Sequence, residues 1–357
     1  MTRKDRLLKA MNAAIDGILV TSELNQYYLT GFNYTDGYVL ITRGKSYLIT
    51  DFRYVEAALA QAGKEFEVVM PENSMLLEIK NLLAENGVKK LYFEDNTLSY
   101  SSYLKFSELF EGVELVHGGS AIIENQREFK TADELEIIAK AQAITDAAFE
   151  HIIKFIKPEM TELEVALELE FFMRSKGAQS VAFDTIAVSG AASSLPHGTP
   201  QARKLERGFF TMDYGARLDG YCSDMTRTVV LGKADDEMKK LYNTVLEAQK
   251  AGIEMIKLGE SCMAVDKAAR DIIENAGYHG CFGHGLGHGV GMFIHEAPRL
   301  SPKVSPDKKL EAGHVVTCEP GIYLLGKYGC RIEDMLAVTE NGTINFTKSP
   351  KELIELF

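Results

Sequence analysis

Between Cys281 and Arg299 the chain reads C-F-G-H-G-L-G-H-G-V-G-M-F-I-H-E-A-P-R, with glycine at 283, 285, 287, 289 and 291. Glycine at every second position costs backbone entropy and disfavours a helix, so the segment must gain from close backbone approach or unusual dihedrals. His284, His288 and His295, three of the eight histidines, are therefore expected on loop or strand. Two common motifs are excluded. No start in the run satisfies G-x-G-x-x-G, because the third glycine position falls on His288, Val290 or Met292, and His295-Glu296 is followed at the second histidine position of H-E-x-x-H by Arg299. What remains is a glycine-rich segment that offers neutral imidazoles to a ligand or a metal, or serves structure alone.

The 357 residues allow two domains, and 46% hydrophobic with 25% charged residues is ordinary globular composition. A net charge of −12 argues against a nucleic-acid backbone or an anionic membrane as partner. The five cysteines (222, 262, 281, 318 and 330) form no C-x-x-C pair, which fits reduced thiols. The first residues, M-T-R-K-D-R-L-L-K-A, lack the apolar region of a signal peptide, and no run approaches the ~18 apolar residues of a membrane span. A cytoplasmic protein is expected.

From Arg3 to about Ile123, short β-type runs (17–21, 37–42, 47–50, 66–69, 90–93) alternate with helical segments (54–62, 75–85, 100–110), which predicts an α/β domain with a mixed or parallel sheet. Nothing there gathers catalytic residue types. The domain boundary is placed after Glu124, giving domains 1–124 and 125–357, because Thr131-Ala-Asp-Glu134 is a capping box that opens a long amphipathic helix to about Phe155. A second capping box, Thr161-Glu-Leu-Glu164, opens a helix to Lys176. Further helices are expected over 235–258 and from Ser261 to Gly277. The second helix pair with its hairpin echoes the first, so an internal pseudo-repeat is expected.

Two β-rich segments carry acids. In the first, Asp219-Gly220 as a two-residue turn pairs Leu218 with Tyr221 and sets 213 opposite 226. Asp213 and Asp224 then share a face as diagonal neighbours at most roughly 7–8 Å apart, and a slip of one residue would separate them. In the second, Glu319 falls opposite Glu333 if the connecting loop is odd in length, for example the five residues Leu324 to Tyr328. An isolated aspartate near a turn is usually solvated, and a lone histidine is usually structural. Two acid-bearing hairpins beside a histidine-bearing strand are different, because clustered like charges need a neutraliser, and divalent cations are the natural one. Four carboxylates with one imidazole favour manganese, cobalt, iron or magnesium over a sulfur-rich zinc site. Two such ions imply hydrolysis.

These residues also carry a resemblance. M-D-Y-G-A-R-L-D-G-Y-C-S-D-M-T-R-T around Asp213 and Asp224, G-H-G-L-G-H-G-V-G around His288, His295-Glu-Ala-Pro298, Glu319-Pro-Gly-Ile-Tyr323 and Arg331-Ile-Glu333 closely resemble the Xaa-Pro peptidases, prolidase and aminopeptidase P. The match covers 125–357. Tyr28-Leu-Thr-Gly-Phe32 and Thr50-Asp-Phe-Arg-Tyr54 resemble the family's creatinase-type N-terminal domain less specifically.

The resemblance implies a creatinase-like α/β domain with a mixed sheet, followed by an α+β pita-bread catalytic domain with antiparallel sheet and pseudo-twofold repeat. It implies two divalent ions, usually Mn2+ with Co2+, Zn2+ or Fe2+ as alternatives, bridged by Asp224 and Glu333. Asp213 would hold one ion and His288 with Glu319 the other, Glu319 doubling as proton shuttle. His295 and His197 would bind substrate and stabilise the tetrahedral intermediate, and His284 would support them. Arg331 and Tyr323 would orient carboxylates. Arg299 would reach a substrate carboxylate or remain an ordinary surface arginine. His117, His151, His279 and His314 are expected to be structural. Met292 departs from the leucine more usual in the family, which bears on pocket shape but on no ligand.

The activity implied is a metal-dependent exopeptidase cleaving between an N-terminal residue and proline in peptides or dipeptides, by a homodimer. A methionine aminopeptidase shares the ligand set but usually lacks so large an extra domain. A creatinase-like amidinohydrolase shares both domains but not the ligands. An inactive pita-bread peptide-binding module would have lost ligands that are intact here.

Overall fold

The computed structural model describes residues 1–357 and divides into two compact units, Met1–Arg127 and Glu128–Phe357. The first unit follows the expected alternation. Its six strands lie in the order Glu67–Val69, Ser46–Thr50, Gly37–Thr42, Gly17–Val20, Lys90–Phe93, Glu114–Val116. Gly17–Val20 pairs antiparallel with Gly37–Thr42 and parallel with Lys90–Phe93, so the sheet is mixed. Leu19, Leu40, Ile49, Ile79, Leu83 and Phe106 form its core. Helices at Arg3–Ala10, Glu23–Thr30 and Gly119–Glu128 were not anticipated. Arg3–Ala10 buries only Leu7 and so has almost no apolar face to read. Gly119–Glu128 runs through the expected boundary, and the division falls a little beyond Glu124.

In the second unit the helix Ala132–Phe155 starts where its capping box says. The Glu134 amide donates to Thr131 Oγ1, and the Thr131 amide donates to Glu134 Oε2. Thr161 and Glu164 repeat that reciprocal pair at the start of Glu162–Ser175. The helices Asp236–Met255 and Cys262–Asn275 form the corresponding second pair. The likeness extends to detail: Glu162–Ser175 and Cys262–Asn275 are each followed by a left-handed glycine, Gly177 and Gly277. Each pair precedes an antiparallel hairpin, which is the expected pseudo-repeat.

The first hairpin joins Gly208–Tyr214 to Met225–Leu231 in a sheet completed by Ile186–Ser189 and Glu355–Leu356. The last strand adds one parallel pairing, to Met225–Leu231, in a unit whose other strand pairs are antiparallel as expected. The second hairpin lies in a five-stranded sheet ordered Glu296–Leu300, Gly287–Gly289, Val315–Cys318, Asp334–Thr339, Gly342–Asn345, and continues as the two-stranded ribbon Gly321–Leu324 with Tyr328–Arg331. One apolar core beneath the first helix pair joins Phe149, Leu169, Met212 and Val229. A second, beneath the other pair, joins Leu241, Val265, Leu286 and Val316. No helix is long and apolar enough to cross a membrane.

Candidate metal centre

Both hairpins take the register that their turns dictate. Leu218 pairs with Tyr221 and Asp213 with Thr226. In the second, Leu324 and Tyr328 are themselves paired, so the loop is tighter than five residues but still odd. Gly321 opposite Arg331 and Cys318 opposite Asp334 carry the same register across Glu319 and Glu333. The acids sit where ladder pairing lapses: Asp224 just before its strand, and Glu319 and Glu333 between consecutive strands. These three carboxylates meet, at one cavity, that of Asp213, which instead projects from within the paired strand Gly208–Tyr214.

His288 occupies the middle of Gly287–Gly289, and the flanking glycines bring the neighbouring strands close. A Cβ on Gly287 would lie 2.1 Å from Thr317 O, and one on Gly289 would lie 2.0 Å from Ala297 O. Close backbone approach, rather than left-handed dihedrals, explains the glycines that flank His288. The His288 amide donates to Thr317 Oγ1 (3.1 Å) and its Nδ1–H donates to Gly289 O (3.1 Å), which leaves Nε2 with a lone pair. That lone pair faces Asp224 Oδ2 at 3.6 Å and Glu319 Oε1 at 3.5 Å. Burial pushes the His288 pKa down to about 3, so the imidazole stays neutral.

Ligand atoms of Asp224, His288 and Glu333 all lie within 4.8 Å of one another. Asp213 gives Oδ2 to Arg331 (2.6 Å), while its buried Oδ1 has no hydrogen-bond partner. Four carboxylates thus meet one guanidinium, a donor set of acceptors around a deficit of positive charge. These residues fit divalent metal, since oxygen and imidazole donors with an orphaned buried carboxylate oxygen are what a hard cation satisfies.

His197, His284, His288, His295, Arg299, Arg331 and all four carboxylates line one cavity of about 780 Å³. Behind its wall, Arg331 donates to the Tyr323 hydroxyl (2.7 Å), and His284 Nδ1–H donates to Gly285 O (2.8 Å). Tyr323 O–H is therefore the donor to His284 Nε2 (2.9 Å). Burial, with Arg331 adding, pushes His284 down to about 4. The remaining histidines serve elsewhere: His314 is buried against Glu128 (3.2 Å), His151 pairs with Glu168 (2.6 Å), and His279 pairs with Glu274 on the surface (2.7 Å).

With this geometry stands a family match: residues 136–340 fit the profile of metallopeptidase family M24. The chain belongs to metallopeptidase family M24. Residues 3–129 match the Creatinase/Prolidase N-terminal domain, so the two expected domain types are both present. Among solved structures, the chain is similar to an Xaa-Pro dipeptidase from Bacillus anthracis (TM-score 0.95, 46% identity, 99% of each chain covered). It is also similar to an X-Pro aminopeptidase from Thermotoga maritima (TM-score 0.92, 34% identity, 99% of this chain and 100% of that one). A curated Xaa-Pro dipeptidase from Pyrococcus furiosus is 37% identical over 99% of both chains.

Three residues of this M24 peptidase escaped the sequence reading. Thr226 Oγ1 donates to Glu333 Oε2 (2.7 Å) and accepts from Arg331 Nε (3.0 Å), so one hydroxyl ties two groups of the centre. Thr317 places the His288 backbone. Arg227 donates to Glu333 O (2.6 Å) from beneath the sheet. Two signals were available: Asp224, Thr226 and Thr228 alternate along one face, and an arginine is the one charged residue in the β-prone run M-T-R-T-V-V.

Arg331→Lys keeps a charge but loses the planar fork that reaches Asp213, Thr226 and Tyr323 together. Metal affinity is expected to fall by roughly 10–100-fold, as for other groups that orient ligands; metal titration followed by activity checks this, and unchanged affinity would remove Arg331 from that role.

The charge deficit also sets a pH dependence for the metal-stripped protein. Burial first, then the neighbouring carboxylates, hold Asp224 and Glu333 well above the usual carboxylate range, and burial lifts Glu319 to about 8. The folded chain keeps protons that the unfolded chain has already lost, so stability falls as pH rises toward 8. The depressed His284, His288 and His295 act with the opposite sign, through the fraction of unfolded-state histidine still protonated near pH 6.5. Between pH 6.5 and 8 the three proton-holding carboxylates outweigh it. Chelated protein should melt lower at pH 8 than at pH 6.5, with added manganese narrowing the gap; a higher melting point at pH 8 would contradict the reading.

Proposed function

We propose that this M24 metallopeptidase hydrolyses the bond between an N-terminal residue and proline, using two divalent ions, most favourably Mn2+. The observation that carries the metal reading is the lone pair of His288 Nε2 held 3.5–3.6 Å from two carboxylate oxygens, a cluster of acceptors that a shared cation satisfies and that otherwise has to retain carboxyl protons. Asp224 and Glu333 would be shared between the ions, Asp213 would serve one, and His288 and Glu319 the other. Bound divalent ions supply Lewis acidity for a scissile carbonyl and for water.

The chain's own groups do the rest. Glu319 takes and returns a proton, being the most accessible of the cluster's carboxylates to the cavity (side chain 16% exposed against 5% for Asp224). His295 and His197, on the cavity wall, hydrogen-bond the substrate carbonyl and the tetrahedral intermediate. His284, fixed as an acceptor by Tyr323, supports that wall. Phe183, Ile186, Ile294 and Val304 give it an apolar part on which a proline ring can pack. The imide nitrogen of that ring carries no hydrogen, which removes a donor that general peptidases bind. Arg299 supplies a cation for a substrate carboxylate.

The test is release of the first residue from Ala-Pro and Ala-Pro-Ala after chelation and again with manganese. Manganese-restored cleavage supports the reading, dipeptide preference making the enzyme a prolidase and tripeptide preference an aminopeptidase P; no cleavage by protein loaded with two ions would refute it. His295→Ala should keep its metal and lose kcat, and loss of metal would make His295 a ligand instead. A homodimer in the cytoplasm completes the proposal. The five free thiols fit that compartment, and a monomer mass by light scattering would refute the dimer.

A further inference from the structure

Successive residues of an extended strand point to opposite faces. His295 and Glu296 enter the strand Glu296–Leu300 in this way: His295 lines the cavity, while Glu296 turns into the protein and is 8% exposed. Its carboxylate holds the preceding turn from behind. Oε1 accepts the Phe293 amide (2.9 Å), and Oε2 accepts Lys130 Nζ (3.0 Å). Lys130 is as buried as its partner, with side-chain exposures of 2% and 5%. It is anchored on its own side, where its amide donates to Gly313 O (2.8 Å) and Nζ donates to Glu128 O (3.3 Å).

The glycine run makes room for this pair. A Cβ on Gly291 would lie 2.5 Å from Glu296 Oε2 and 2.9 Å from Lys130 Cε. A buried ion pair is a poor way to gain stability, because desolvation of both charges offsets their attraction, and its best-attested use is to fix one conformation. The conformation fixed here is the turn that sets the His295 ring edge-on to His288, with centroids 4.5 Å apart.

We propose that Lys130 and Glu296 form a positioning pair for His295, which acts on catalysis only through that imidazole; this rests on His295 facing the substrate. The test is a double-mutant cycle on manganese-loaded enzyme with Ala-Pro, recording kcat, KM, bound metal and melting temperature. Lys130→Met should lower kcat by roughly 10–100-fold through misplacement of a catalytic group, with metal content and KM little changed. Lys130→Arg should restore most of the loss. In a His295→Ala background the same substitution has nothing left to misplace and should change kcat by less than about 2-fold. A purely structural role would lower the melting temperature alike in both backgrounds and would not produce this split. Equal kcat losses in both backgrounds, or an unchanged kcat for Lys130→Met, overturn the proposal alone; His295→Ala with undiminished kcat overturns the reading of His295 and the proposal with it. Should Lys130→Met fail to fold, Glu296→Gln takes its place in the same cycle, since its amide oxygen can still accept the Phe293 N–H while the charge is gone.

Discussion

Glu333→Ala and Asp224→Asn are each expected to lower turnover of Xaa-Pro peptides by about 10³-fold or more, since losing several kcal/mol of charge stabilisation corresponds to about tenfold per 1.4 kcal/mol. Both residues are almost wholly buried, at 1% and 4% exposure. Both are proposed to be shared by two ions, so either substitution should release both. The Glu333 carboxylate is held by the Thr226 hydroxyl and its backbone amide by Thr226 O (3.1 Å), so little else can move into its place. The substituted proteins should still fold. Removing one carboxylate from a repelling cluster relieves the metal-free chain, and Glu333→Ala without metal is expected to melt no lower than metal-free wild type. Metal analysis beside steady-state rates decides the matter, and wild-type metal content with retained turnover would refute the sharing of ions by these two residues.

Arg227→Met should produce the largest loss of stability. Arg227 is 1% exposed and is the largest fully buried side chain in the molecule. Its donors are all engaged: Nε on Pro350 O, NH1 on Thr226 O and Glu333 O, and NH2 on Asp334 Oδ1 and Ser349 O. Methionine fills much of the volume but strips a buried carboxylate of a partner and leaves four carbonyls short of donors. Breaking one side of a buried pair costs about 3–5 kcal/mol, partly offset here because Lys351 and Asn345 still reach Asp334 Oδ2 (2.7 Å each). For a unit of this size the melting temperature should fall by roughly 10 °C. Because Arg227 also grips the Glu333 carbonyl, metal affinity should fall with it. A melting temperature within about 2 °C of wild type, as for an ordinary surface substitution, would show that the network is dispensable.

Particular residues show why some of this was legible in the chain and some was not. Asp219-Gly220 and the odd loop around Gly326 are local signals, and since side chains alternate strictly along a strand, a turn fixes the face of every residue behind it. The pairing of Asp213 with Thr226 follows from that turn, and that of Gly321 with Arg331 follows once the loop is odd in length. Capping boxes at Thr131 and Thr161 located two helices to within a residue because they satisfy backbone donors with neighbours in sequence. The glycine run marked where backbones approach closely, and the order of acids and histidines marked the family.

Other features depended on partners far away in the chain. Thr226 bonds Glu333 and Arg331 across more than a hundred residues, and Lys130 reaches Glu296 across 166. Threonine in a strand and lysine near a helix start are unremarkable by composition, and only the folded arrangement gives them a partner. The amino-acid sequence by itself determined the registers, the helix starts and the residue types able to hold a metal. Only the tertiary structure decided that the two halves set their acids around one point, that His288 turns a lone pair toward them, and which buried cations brace the wall. The first set is fixed by interactions between near neighbours; the second exists only once long-range packing has excluded water from the groups that must meet.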